Sequence, residues 1–249
     1  MRCVNEAVES MQNGLEILSW SFWSPETRQP QAWRAAATAV PPASPSAVPD
    51  GAIPSLHRRR MSALAKMAVQ VALEATAERR ADFLVFCSQH GELTRTRELL
   101  GTIVEAGELS PTSFSQSVHN ASAGLYTIIT ASRVPTTSLA AGAGTFAYGW
   151  IEADAYLTAS PSQRVLLVSY DEPLPSEYRP YSRQAQRSHA LALLLAVAGT
   201  GGLTLELQPA GVEENLPIAP LFMAWALSGG PALTITAGGQ GWVWRRVGS

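Results

Sequence analysis

A chain of 249 residues with 46% hydrophobic content is long enough to bury one large core. Charged residues make up only 15% of it, below the usual quarter, which leaves little polar surface for a free-standing monomer and favours a buried partner interface. A net charge of -2 and a pI near 6.1 exclude a whole-chain attraction to nucleic acid or to an anionic membrane.

The start of the chain, residues 1–14, carries Glu6 and Glu9 without an apolar core segment, so it reads as a flexible N-terminus and not as a signal peptide. The longest aliphatic stretch, Ala190 to Ala198, is about half the length a membrane span requires. Cys3 and Cys87 are the two cysteines, which argues against a disulfide framework and for a reducing, cytoplasmic setting.

Leu15 to Trp23 alternates like a strand, with Trp23 and Trp33 as anchoring aromatics. Five prolines between Ala39 and Pro54 exclude regular helix or central strand, making 39–54 a connector. Ser62 is placed to cap a helix whose apolar positions Leu64, Met67, Ala68 and Val71 follow the 3.6 period. A strand at Asp82 to Cys87 and a helix from Leu93 to Ala106 come next. Ser110-Pro111 then opens another helix, with Phe114, Val118, Ala121, Leu125 and Ile128 on one face. A strand at Thr136 to Ala140, a helix running from Ala143 to Ala159 and a strand at Arg164 to Tyr170 complete a β-α-β series. The remainder holds strand candidates at Ala190 to Ala196, Leu203 to Leu207 and Ala232 to Thr236, and a short helix near Pro217 to Leu227. The expected fold class is therefore α/β, with helices on both faces of a mixed sheet.

The segment between the strand at Thr136 and the following helix is built like a nucleophile turn. The small residues Ala141, Gly142, Ala143 and Gly144, then Thr145, allow a tight approach to a helix N-terminus, whose dipole and free amides stabilise a thiolate. No thiol is present there. A methyl group at Ala143 cannot ionise, attack a thioester or carry an acyl chain.

Ser138-Leu-Ala-Ala-Gly-Ala143 resembles the active-site turn of β-ketoacyl synthases and other thiolase-fold enzymes, with Ala143 at the cysteine position. Ser110-Pro111 with His119-Asn120-Ala-Ser-Ala-Gly124 resembles the Ser-Pro…Asn-x-x-Ala-Gly segment of that family. Arg58-Arg59-Arg60-Met61-Ser62, Ser88-Gln89-His90-Gly91-Glu92 and the tract from Arg164 through Asp171-Glu172 resemble the ketosynthase-like N-terminal domain family of aryl polyene and xanthomonadin pigment clusters. The match runs from about Leu15 to Leu207. It implies a thiolase-like single domain over 15–249, its first half followed by a divergent tail at 208–249.

The resemblance also implies what the chain does and lacks. The condensation chemistry of the family needs two histidines from its C-terminal half, and His189 alone lies downstream of the turn. The implied role is a non-catalytic subunit, like a chain length factor, that pairs as a heterodimer with an active ketosynthase and shapes its acyl tunnel, with acyl carrier protein met indirectly. Thiolase-type dimers join through the strand before the nucleophile, so Val118, Leu125, Ile128 and Thr136, Thr137, Ser138, Leu139 and Ala140 are the expected interface. Arg58, Arg59 and Arg60 are candidates to meet an acidic carrier, although a solvated run ahead of a helix is the simpler account of them. His57, His90, His119 and His189 are too far apart in sequence to form a helical metal pair, and no cofactor is expected. The alternative reading is an acyl-thioester hydrolase or acyltransferase using Ser88, or Ser138, with His90.

Overall fold

The computed structural model describes residues 14–38, 47–182 and 184–248. The first thirteen residues, with Cys3, and the first half of the proline-rich connector, 39–46, lie outside the described residues. The chain runs β1 (Leu15–Trp23), α1 (Pro30–Thr38), a single-turn α2 (Ser55–Arg58), α3 (Ala63–Ala75), β2 (Phe83–Cys87), α4 (Leu93–Val104), α5 (Pro111–Ser115), α6 (Ala121–Thr130), β3 (Thr136–Leu139), α7 (Thr145–Ala159), β4 (Val165–Asp171), β5 (His189–Val197), β6 (Gly202–Gln208), α8 (Ile218–Ser228), β7 (Ala232–Ala237) and β8 (Gln240–Val247).

The sheet order is β3-β2-β4-β5-β1-β6-β8-β7. β2 is parallel to both β3 and β4, as the β-α-β series requires, while the pairs from β4–β5 onward are antiparallel. β2 and β4 are continuous apolar runs, buried along almost their whole length, the pattern of strands covered on both faces. β1 and β6 share only the Leu15–Leu203 pair, so the sheet divides there into a five-stranded part and a three-stranded part.

Two cores lie on the two faces of the sheet, because alternate residues of β2, β4 and β5 point to opposite sides. The inner core gathers Val85, Leu167 and Leu193 of the five-stranded part, Phe146 and Trp150 of α7, Phe222 and Trp225 of α8, and Trp242 and Trp244 of β8. Its rings touch at centroid distances such as 5.1 Å for Phe146–Phe222 and 5.4 Å for Phe222–Trp244, each pair adding about 0.5–1.5 kcal/mol beyond the area it buries. The outer core packs α3 and α6 against Leu84, Phe86, Leu166, Val168 and Leu194. The cap at Ser62 forms as expected, its Oγ accepting from Ala65 N at 2.9 Å.

The single helix expected from Ser110 to Ile128 is instead two, α5 and α6. His119 Nε2 donates to the Ser88 carbonyl at 2.8 Å, drawing residues 116–120 onto the end of β2 and interrupting the helix. Three elements were not anticipated, the single-turn α2 being the first. α1 places Trp33 in the inner core, fully buried, and β8 forms a hairpin with β7 across Gly238 and Gly239, both at positive φ, the conformation that suits two-residue hairpin turns.

Candidate functional site

The site is built where the carboxyl ends of β2, β3 and β4 meet the start of α7. Ala143 lies two residues before Thr145, the first residue of α7. The turn is closed by its own threonine: Thr145 Oγ1 accepts from Ala141 N at 2.9 Å and donates to the Gly142 carbonyl at 2.6 Å. Gly142 has φ +56, which a side chain would strain. A Cβ on Gly144 would come within 3.2 Å of both Trp242 and Tyr148, so the turn rests directly on the aromatic floor of the inner core. Ala143 is half-buried there and lines a cleft of about 820 Å³ together with Gln89, His90, Leu174, Tyr178, Tyr181 and Gln184.

α7 is held down behind the turn. Gly149 lets the helix approach so closely that a Cβ there would overlap Cys87 Sγ. Cys87 is therefore a packing residue at the end of β2. Complete burial, with the negative charges of Asp171 and Glu152 behind it, pushes its thiol well above the usual range, so it supplies no thiolate.

Beside the turn, Asp171 ties the strand ends together. Its Oδ1 accepts from Ser88 Oγ and from Gln89 N, each at 2.9 Å, and Ser88 Oγ accepts in turn from Gly91 N at 2.8 Å. Burial raises the Asp171 carboxyl to about 7, against the lowering effect of these hydrogen bonds. Asp171 faces His189 across the β4–β5 register. His189 is buried, donates Nδ1–H to the Arg187 carbonyl at 2.9 Å, and is driven by desolvation down to about 4, so it is neutral.

The residues of the alternative hydrolase reading are not assembled. Ser88 is fully buried and its proton goes to Asp171, while His90 Nε2 is enclosed without a hydrogen-bond partner and burial depresses its pKa. Ser138 Oγ is also buried without a partner. Among the described residues there is no group of three or more His, Cys, Asp or Glu placed to hold a metal ion. The Asp171–Ser88–Gly91 clasp was missed in the sequence because its ends are 83 residues apart; an aspartate closing a buried strand was the one available signal.

The expected interface residues divide in two. β3 is an edge strand with Thr136 and Ala140 exposed and Thr137, Ser138 and Leu139 half-buried. Val118 and Ile128 are exposed. Leu125 packs against the outer core and Leu139 against the inner one. Of the three arginines, Arg58 is paired with Asp50 at 3.0 Å, whereas Arg59 and Arg60 are exposed.

The profile of the β-ketoacyl synthase N-terminal domain matches residues 30–245. The chain belongs to that family. As a β-ketoacyl synthase N-terminal domain it is similar, almost end to end, to a chain of a ketosynthase in complex with its chain length factor from Xenorhabdus doucetiae. The TM-score is 0.83 at 28% identity, over 94% of this chain and 99% of that one. The ishigamide ketosynthase/chain length factor matches with a TM-score of 0.59 at 18% identity, over 79% of this chain and 67% of that one. A β-ketoacyl synthase from Burkholderia phymatum STM815 matches with 0.56 at 11%, over 81% and 65%. The last two show the shared fold alone. No curated protein matches the sequence. Among the described residues, no helix is long and apolar enough to cross a membrane.

Proposed function

We propose that this chain is a non-catalytic ketosynthase-like subunit that pairs with an active β-ketoacyl synthase and shapes its acyl tunnel, in aryl-polyene-type biosynthesis. The observation that carries the reading is Ala143. The turn, the helix N-terminus and the adjoining cleft are all present, and the one atom that thioester chemistry requires is replaced by a methyl hydrogen. The end-to-end likeness to a chain from a ketosynthase and chain length factor complex supports the pairing.

The geometry suits that role. β3 offers unpaired backbone N–H and C=O groups along its outer edge, the kind of edge that invites a strand from another chain, with Val118, Ile128, Thr136 and Ala140 exposed around it. The core-facing Leu139 holds that edge against α7, so a docked partner would sit directly beside the Ala143 turn. Acyl carrier protein would deliver its cargo to the partner, with Arg59 and Arg60 available on this chain for an acidic carrier surface. Incubation of the purified chain with acyl- and malonyl-carrier protein, followed by intact mass measurement, is expected to show no covalent adduct. A stoichiometric acyl adduct on any residue would overturn the reading.

A further inference from the structure

We infer that a small hollow beside the Ala143 turn is a non-covalent site for the carboxyl group of an acid whose apolar body lies in the adjoining cleft, an inference that rests on the non-catalytic reading above. The hollow has a volume of about 20 Å³, room for little more than a water-sized group. Gln89, Ala143 and Gln184 line both the hollow and the 820 Å³ cleft, so the two spaces adjoin at these residues. Leu93, Leu174, Tyr178 and Tyr181 line the cleft and offer the body of a ligand an apolar wall.

Two helices begin at the hollow. Thr145 and Phe146 open α7, Ile218 and Ala219 open α8, and all four line it. Neither helix start is capped by a side chain, and the N–H groups of a first turn have no partner within their own helix. Thr145 N donates to the Gly142 carbonyl, which leaves the N–H groups of Phe146, Ile218 and Ala219. Two positive helix ends at one small space favour an oxygen that carries negative charge.

Two side chains on the wall narrow the ligand to a carboxyl group. His189 is only 2% exposed and lines the hollow. With Nδ1–H given to the Arg187 carbonyl, its Nε2 is a bare acceptor that has no partner among the described residues. A buried acceptor needs a donor. A carboxylic acid brings its O–H to Nε2, while its second oxygen accepts from the helix N–H groups. Arg187 lines the hollow too, and its long 3.7 Å contact with Glu26 leaves guanidinium N–H groups for the same oxygens. Asp171 is the one acid on this wall. Burial holds its carboxyl up to about 7, so at pH 6 it is mostly uncharged and does not repel the ligand. Glu213 and Glu214 line the cleft and not the hollow.

The test titrates octanoate into the full chain at pH 6 by isothermal calorimetry, with octanol as the control of equal length. Octanoate is expected to bind about tenfold more tightly than octanol, and Arg187→Gln to remove about that advantage while leaving octanol unchanged. Arg187→Gln strands the Glu26 carboxylate, whose side chain is 8% exposed. Ala143→Leu is therefore measured beside it, because it fills the junction of hollow and cleft without altering a charge; it is expected to weaken octanoate by about tenfold or more. Octanoate that does not bind wild type, octanol that binds as tightly, or an Ala143→Leu chain that binds octanoate as wild type does would each overturn the inference. An acyl adduct formed from acyl-carrier protein would count against the non-catalytic reading instead, whereas octanoate is no thioester and reports on this site alone.

Discussion

The close approach of α7 to the sheet can be tested by one methyl group. Gly149→Ala places a Cβ that overlaps Cys87 Sγ and comes within 2.9 Å of Leu167 Cδ1. Both neighbours are fully buried, in β2 and β4 respectively, so neither has solvent to retreat into. Two opposed magnitudes apply: alanine is favoured over glycine in a helix by about 1 kcal/mol, and overpacking a filled core costs about 1–3 kcal/mol. With the sulfur pinned between α7 and the parallel strands, the upper end of the cost applies, and the net loss is about 1–2 kcal/mol. Urea unfolding followed by tryptophan fluorescence reads it. Cys87→Ala removes the obstructing sulfur and alone costs about 1 kcal/mol as a small cavity. The double variant should recover part of the loss, with a coupling of about 1–2 kcal/mol. If Gly149→Ala matches or exceeds wild type, or the two losses simply add, α7 does not press on β2 as described and the placement of Ala143 loses its support.

In a Cys3→Ser background, Ala143→Cys should create a thiol at the head of α7, facing the cleft, that iodoacetamide alkylates at neutral pH while Cys87, then the one remaining native cysteine, stays unmodified; intact mass decides, and labelling of the Cys3→Ser chain without Ala143→Cys would contradict the burial of Cys87. Asp171 predicts a pH dependence. Its folded pKa is raised to about 7 from the usual 3.8, so the folded state binds a proton that the unfolded chain releases, and stability rises as pH falls from about 7 towards 4. Asp171→Asn keeps an acceptor for Ser88 and removes the buried charge, so it should raise the melting temperature at pH 8 and leave it nearly unchanged at pH 5. An equal shift at both pH values would refute the desolvated carboxyl.

The sheet and its helices were readable because their apolar runs are long and their caps local, as Ser62 and the FLVFC run of β2 show. β8 was overlooked although Ala237-Gly-Gly-Gln240 separates two strand-like runs, because Trp242 to Arg246 lacks a clean alternation of apolar and polar residues. α1 lacks acidic or basic residues at its ends, so nothing marked its limits beyond Pro30. The break between α5 and α6 depends on a hydrogen bond across 31 residues, which local periodicity cannot express. The Ala143 turn was legible as a pattern of small residues, whereas the clasp beside it depends on Asp171 and Ser88 meeting through strand pairing. Leu125 and Leu139, grouped with exposed residues by sequence, face the cores because α6 and β3 each present one side inward.

The most direct test of the central claim is co-expression of this chain with its candidate ketosynthase, with mass determined by light scattering and the acyl load of each subunit by intact mass spectrometry. The expected result is a one-to-one complex in which acyl groups load onto the ketosynthase alone. A chain that remains monomeric beside the ketosynthase, or that carries the acyl group itself, would contradict it.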